Sequence, residues 1–103
     1  MATVTKRAAA ERDLIEHFVY LAEHASVQIA DRFLKQAELT FNDLSLKPLM
    51  GVQLSLKNPA LANMRKWRVR RFDNFLIFYI PRSDGVAIVR VLHATQNWQA
   101  MLA

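Results

Sequence analysis

Seven of the fourteen lysines and arginines fall between Met64 and Arg90: Arg65, Lys66, Arg68, Arg70, Arg71, Arg82 and Arg90. Only two acids, Asp73 and Asp84, share that stretch, while the remaining chain carries seven bases and seven acids. The formal net charge of +5 is therefore a property of one region, and a local excess of this kind faces an anion, whether nucleic acid or an acidic protein. His93 is the one histidine outside the first helical segment, and its ordinary pKa suits proton transfer near neutral pH. A histidine that ends a strand also commonly bonds a nearby backbone group. Tyr79, inside an apolar run, reads more naturally as core than as catalyst. His17 and His24 lie seven residues apart on one helical face, but two ligands without a cysteine or a clear third donor make no metal site, and none is expected. No glycine-rich phosphate loop and no serine, histidine and acid set is spaced for nucleophilic catalysis, so no cofactor is expected.

These residues sit in a chain of 103 residues, the length of one domain, which sets residues 1–103 as a single expected unit. Apolar residues make up 52%, with two glycines, three prolines and no cysteine, the composition of a folded globule without disulfides. The N-terminal residues lack the apolar core of a signal peptide, and no stretch approaches the roughly 20 apolar residues of a membrane span. The expectation is a cytoplasmic protein that makes no membrane contact.

The elements that must position the basic residues follow from periodicity. Thr3 to Arg7 alternates weakly, as an edge strand would. Leu14, Ile15, Phe18, Leu21, Ala22 and Ala25 recur at helical spacing, and Ser26 is placed to cap a second helix striped by Ala30, Phe33, Leu34, Ala37, Phe41 and Leu44. The short break makes the two helices a hairpin. From Leu46 to Asn63 proline, glycine and asparagine mark a long connector that leaves Leu49, Met50 and Leu54 near the surface. Strand alternation follows, with Trp67 and Val69 on one side and Lys66, Arg68 and Arg70 on the other. Asp73-Asn74 reads as a turn, "FLIFYI" as a central strand covered on both faces, and Asp84-Gly85 as a second turn leading into "VAIVRVLH". A short helix around Trp98, Met101 and Leu102 closes the chain. The fold class is α+β: an N-terminal strand and helical hairpin packed on a small antiparallel sheet, with a short C-terminal helix.

This order, together with "DLIEHFVYLAEHAS", "KNPALANMRKWRVRRFDNFLIFYI" and "VAIVRVLHATQNW", resembles the ParE branch of the RelE/ParE toxin superfamily over nearly the whole chain. The resemblance implies a toxin of a bacterial type II toxin–antitoxin (plasmid stabilisation) system and a cognate, ParD-like antitoxin with an acidic amphipathic tail. It implies one of two activities. ParE-like members poison DNA gyrase and have no agreed catalytic residues; RelE-like members cut ribosome-bound messenger RNA with basic and tyrosine residues. The paired basic positions of the RelE type match Arg68 and Arg70, but the next expected base aligns with Leu76, and the basic, tyrosine-bearing tail is replaced by "HATQNWQAMLA". An RNase here would use Arg68 and Arg70 on the phosphate and Tyr79 or His93 for proton transfer, and arginine is a poor base. The expected reading is therefore a gyrase inhibitor, with Lys66, Arg68, Arg70, Arg71 and Arg90 as the target- or antitoxin-binding surface. Arg90 is the exposed question: alternation groups it with Val86, Ile88 and Leu92, and it is expected to join Arg68 and Arg70 in a cationic cluster, the alternative being a buried pair with Asp31 or Glu38.

Overall fold

The computed structural model describes residues 2–102. Strand β1 (Thr3–Lys6) leads into helix α1 (Ala8–His24), helix α2 (Val27–Leu46), a two-residue strand β2 (Val52–Gln53), strands β3 (Arg65–Val69), β4 (Phe72–Arg82) and β5 (Gly85–His93), and a last short helix α3 (Trp98–Met101). The five strands form one sheet in the order β1-β5-β4-β3-β2. All neighbours are antiparallel except β1, which runs parallel to β5. The N-terminal strand is thus an edge strand as expected, and it makes the sheet mixed.

Ser26 caps α2 by accepting from the backbone N–H of Ile29 at 3.1 Å, a bond that contributes about 1 kcal/mol in typical helices. The apolar stripe of α2 packs as its spacing predicts, with Ala30, Phe33, Ala37, Phe41 and Leu44 all at 0% exposure. Helix α1 departs from its apolar spacing. Its buried residues are Ala10, Asp13 and Leu14, and Ile15 is 64% exposed. The face turned to the sheet carries two polar side chains because they have a task there, described below.

The central strand β4 is covered on both sides. Phe75, Ile77 and Tyr79 join the helix-side core with Phe33, Phe41, Val69 and Ile88, whereas Phe78 and Ile80 pack on the outer face against Leu61, Met64, Leu92 and Leu102. The outer cover comes from the connector, which forms one 3-10 turn over Pro59–Leu61, and from the C-terminal helix. Two turns differ from expectation. The β3–β4 hairpin turns at Arg70-Arg71, two residues before Asp73, with Val69 paired to Phe72 and Arg71 in the left-handed region at φ 66°. The β4–β5 hairpin turns at Ser83-Asp84, and Gly85 already belongs to β5 opposite Thr3. No helix among the described residues is long and apolar enough to cross a membrane.

Candidate functional site

Where β1 ends, the outer edge of β5 is left without a neighbour. Pairing stops at Lys6 opposite Ile88, with one last bond from Arg7 N–H to the Ile88 carbonyl at 2.9 Å. Helix α1 completes the edge with side chains one turn apart. The Asp13 carboxylate accepts from the Val91 N–H at 3.0 Å, and His17 Nε2–H donates to the Val91 carbonyl at 2.7 Å. The same carboxylate binds Arg90 through two bonds, Nε to Oδ2 at 2.7 Å and a terminal nitrogen to Oδ1 at 2.9 Å. Arg90 therefore holds α1 to β5 and does not join Arg68 and Arg70. Val89 is an unpaired bulge between the Phe78–Arg90 and Tyr79–Ile88 pairs, so Arg90 leaves the side of Val86 and Ile88 and stands opposite Phe78, in register with Lys66; what draws its guanidinium away from Arg68 and Arg70 is Asp13 at the unpaired edge of β5. The partner is Asp13, on neither of the expected positions Asp31 and Glu38. Its hydrogen bonds raise the Arg90 pKa above the ordinary arginine value, keeping the guanidinium charged.

Burial lowers the His17 pKa below its ordinary 6.5, outweighing the Val91 carbonyl and Asp13, which act to raise it; the neighbouring His93 lowers it further. The folded state thus holds His17 neutral, while the unfolded chain takes up a proton as pH falls through about 6.5. Stability from this group is present in full above that pH and declines below it until the folded pKa is reached. In urea titrations between pH 8 and 5, His17→Gln, which keeps a donor without a titrating ring, is expected to show a shallower loss of stability than the parent. Equal slopes would remove His17 as the source.

The β3–β4 hairpin carries the basic residues, and the structure gives each a different neighbour. Arg65 is used structurally, donating to the carbonyls of Leu49 at 3.1 Å and Gly51 at 2.7 Å, which fastens the connector. Lys66 lies over the Trp98 ring at 4.9 Å from its centroid. Arg68 is exposed, 5.0 Å from the Trp67 centroid and 3.6 Å from the Asp73 carboxylate. Arg70 was expected on the Lys66 and Arg68 face, but strand β3 ends at Val69, and its guanidinium instead meets Asp43 of α2 at 2.6 Å. Its backbone N–H donates to the Thr40 hydroxyl at 3.0 Å, and that hydroxyl donates to the Gln36 carbonyl at 2.7 Å. The hairpin tip is thereby clamped to α2, and Arg71 stands exposed beside it.

Tyr79 and His93 are also accounted for. Tyr79 is at 0% exposure; its hydroxyl donates to the Pro48 carbonyl at 2.7 Å and accepts from the Gly51 N–H at 2.9 Å, and burial raises its pKa above 10. His93 accepts at Nδ1 from the Thr95 backbone N–H at 3.1 Å and meets the Thr95 hydroxyl at 2.7 Å. Its ring stands edge-on to Phe75, 4.9 Å between centroids, on the helix side of the sheet. With His17, Tyr20 and Phe75 it lines a cleft of about 360 Å³. Arg68, Arg70, Tyr79 and His93 therefore do not converge on one cavity. Among the described residues no group of three or more histidines or acids is placed to hold a metal ion.

Sequence reasoning weighed His17 only as a metal ligand and passed over Asp13, Thr40 and Asp43. A signal for their edge-completing role existed in Asp13 and His17, polar residues at i and i+4 on the helix face next to Leu14. For Thr40 and Asp43 none did, since their partners lie about thirty residues away.

Residues 4–98 match the family described as "ParE toxin of type II toxin-antitoxin system, parDE". The chain belongs to the ParE toxin family. A solved structure titled "Chromosomal ParDE TA system from P. aeruginosa" is similar in fold, with a TM-score of 0.72 and 14% identity over 90% of this chain and 96% of that one. No curated protein matches. As a ParE family member the chain is the toxin of a type II toxin–antitoxin system, a membership that implies an antitoxin partner. The family match also spans the clamp between Asp13 and Arg90 and the hairpin fastened by Thr40 and Asp43.

Proposed function

We propose that this ParE family member acts in the bacterial cytoplasm by binding DNA gyrase and blocking it, and that a ParD-like antitoxin neutralises it by occupying its basic hairpin. The observation that carries the choice of target is the separation of Arg68, Arg70, Tyr79 and His93. An RNase needs phosphate ligands and a proton-transfer group around one reacting atom. Here Arg70 is paired with Asp43, the Tyr79 hydroxyl has both its bonds inside the protein, and His93 lies on the helix side of the sheet while Lys66 and Arg68 face out. A protein-binding inhibitor needs no such convergence. It needs an exposed surface of stated charge on a rigid support, which Lys66, Arg68 and Arg71 provide, with Arg70 as the anchor.

Purified protein is expected to inhibit gyrase supercoiling and to promote gyrase-linked DNA breaks, leaving message on translating ribosomes intact. Arg68→Glu should weaken the inhibition about tenfold without lowering the melting temperature, because Arg68 is exposed and its contact with Asp73 is long. Cuts in ribosome-bound message, with gyrase unaffected, would overturn the reading.

A further inference from the structure

The hairpin clamp leaves a notch of about 650 Å³ between the tip and the start of α2, lined by Ile29, Arg32, Gln36, Arg71 and Phe72. Ile29, Arg32 and Gln36 are spaced three and four apart and share one helix face. Neither Arg32 nor Arg71 makes an ion pair among the described residues, although Arg68, Arg70 and Arg90 each have a carboxylate. Gln36 Oε1 is the one buried side-chain polar atom among the described residues with no hydrogen-bond partner. Arg71 also holds a left-handed backbone at φ 66°, a conformation glycine or asparagine adopts at lower cost. Two guanidiniums without an ion pair thus border a surface formed by Ile29 and Phe72, the Gln36 amide oxygen beside them is free to accept a backbone N–H of a docked segment, and Arg71 is carried on a tip held by Thr40 and Asp43.

We propose that this notch receives a carboxylate from the antitoxin, carried on an apolar segment whose neighbouring side chain packs on Ile29 and Phe72, with Arg32 and Arg71 closing on the acid from two sides. The proposal rests on the toxin–antitoxin reading and deepens it. A peptide acid fits better than a nucleic-acid backbone because the notch has only two free cations and an apolar floor, whereas phosphate tracks call for a run of bases. Guanidinium pairs bind carboxylates bidentately and fix their orientation, which gives the site specificity as well as affinity.

The test uses full-length toxin and its antitoxin, with affinities and association rates measured by surface plasmon resonance at two salt concentrations. Arg32→Gln and Arg71→Gly are each expected to weaken binding about tenfold, with a flatter salt dependence of the association rate. Arg82→Gln, an exposed arginine in the opposite turn, serves as the control and should bind as the parent does. Arg71→Gly removes the left-handed strain, so its melting temperature should match or exceed the parent's, which separates lost binding from lost fold. If the parent binds the antitoxin and both variants bind as tightly as Arg82→Gln, the notch proposal fails while the toxin–antitoxin reading stands. If the parent does not bind the antitoxin at all, the underlying reading fails. If the variants lose affinity for a DNA oligonucleotide and keep it for the antitoxin, the notch serves nucleic acid and the proposal is likewise overturned.

Discussion

Arg90→Ala should lower the stability of the fold by about 3 kcal/mol, a drop of roughly 10–20 °C in melting temperature for a chain of this size. The side chain is only 24% exposed and its partner Asp13 is 6% exposed, so removing the guanidinium leaves a buried carboxylate with a single remaining bond, from the Val91 N–H. The damage should spread to the packing of α1 on β5, since Arg90, Val91, Asp13 and His17 form one connected set. Asp13→Asn should cost less, about 1–2 kcal/mol, because an amide oxygen still accepts from Val91 and the partly exposed Arg90 can take up water. A double-mutant cycle between the two positions should give a coupling of about 1–3 kcal/mol. Toxicity should fall in parallel with the folded fraction. An Arg90→Ala protein that melts like the parent and has lost toxicity would return Arg90 to the functional surface.

Gly85→Ala should cost about 2–4 kcal/mol, and the loss should be local to the β1 edge. Gly85 has φ 153° and lies opposite Thr3, and a Cβ there would penetrate the Thr3 carbonyl oxygen and stand 2.6 Å from the Thr3 nitrogen. Both obstacles are backbone, so no side-chain rotation relieves them. β1 would have to peel away, exposing the outer edge of β5 from Gly85 to Ile88 and releasing Lys6 from its 2.6 Å pair with Glu38. Hydrogen exchange should show the amides of Val4 to Arg7 opening much faster in the variant, with α2 and β4 unaffected. Unchanged exchange at β1 would show that the strand can shift to accept the methyl group.

Much of this architecture was legible in the residues. The Ser26 cap, the α2 stripe, the doubly covered "FLIFYI" strand and the order of the elements other than β2, which lies in the stretch read as connector, follow from local rules: hydrogen-bond chemistry at a helix start, and hydrophobic periods of 3.6 and 2. The resemblance to ParE toxins rested on that same order and agrees with the family match over residues 4–98. Less legible was which way charged residues point. The β3–β4 turn falls on two arginines, residues with no particular turn preference, so Asp73-Asn74 offered a better signal and a wrong position.

The sequence by itself determined that a basic segment adjoins a rigid apolar strand, because composition and alternation are properties of neighbours along the chain. Only the tertiary structure decided which of those bases remain available. One unpaired residue at Val89 breaks the alternation that would have grouped Arg90 with Val86 and Ile88 and brings it into register with Lys66, and α1 supplies Asp13, which takes its guanidinium, and His17 where β1 runs out. Asp43 and Thr40 claim Arg70 from across the fold, while Lys66, Arg68 and Arg71 keep no short carboxylate contact. Pairing between charges depends on distance in space, and for Arg90 and Asp13 that distance is 2.7 Å across a separation of 77 residues, a relation no local pattern encodes.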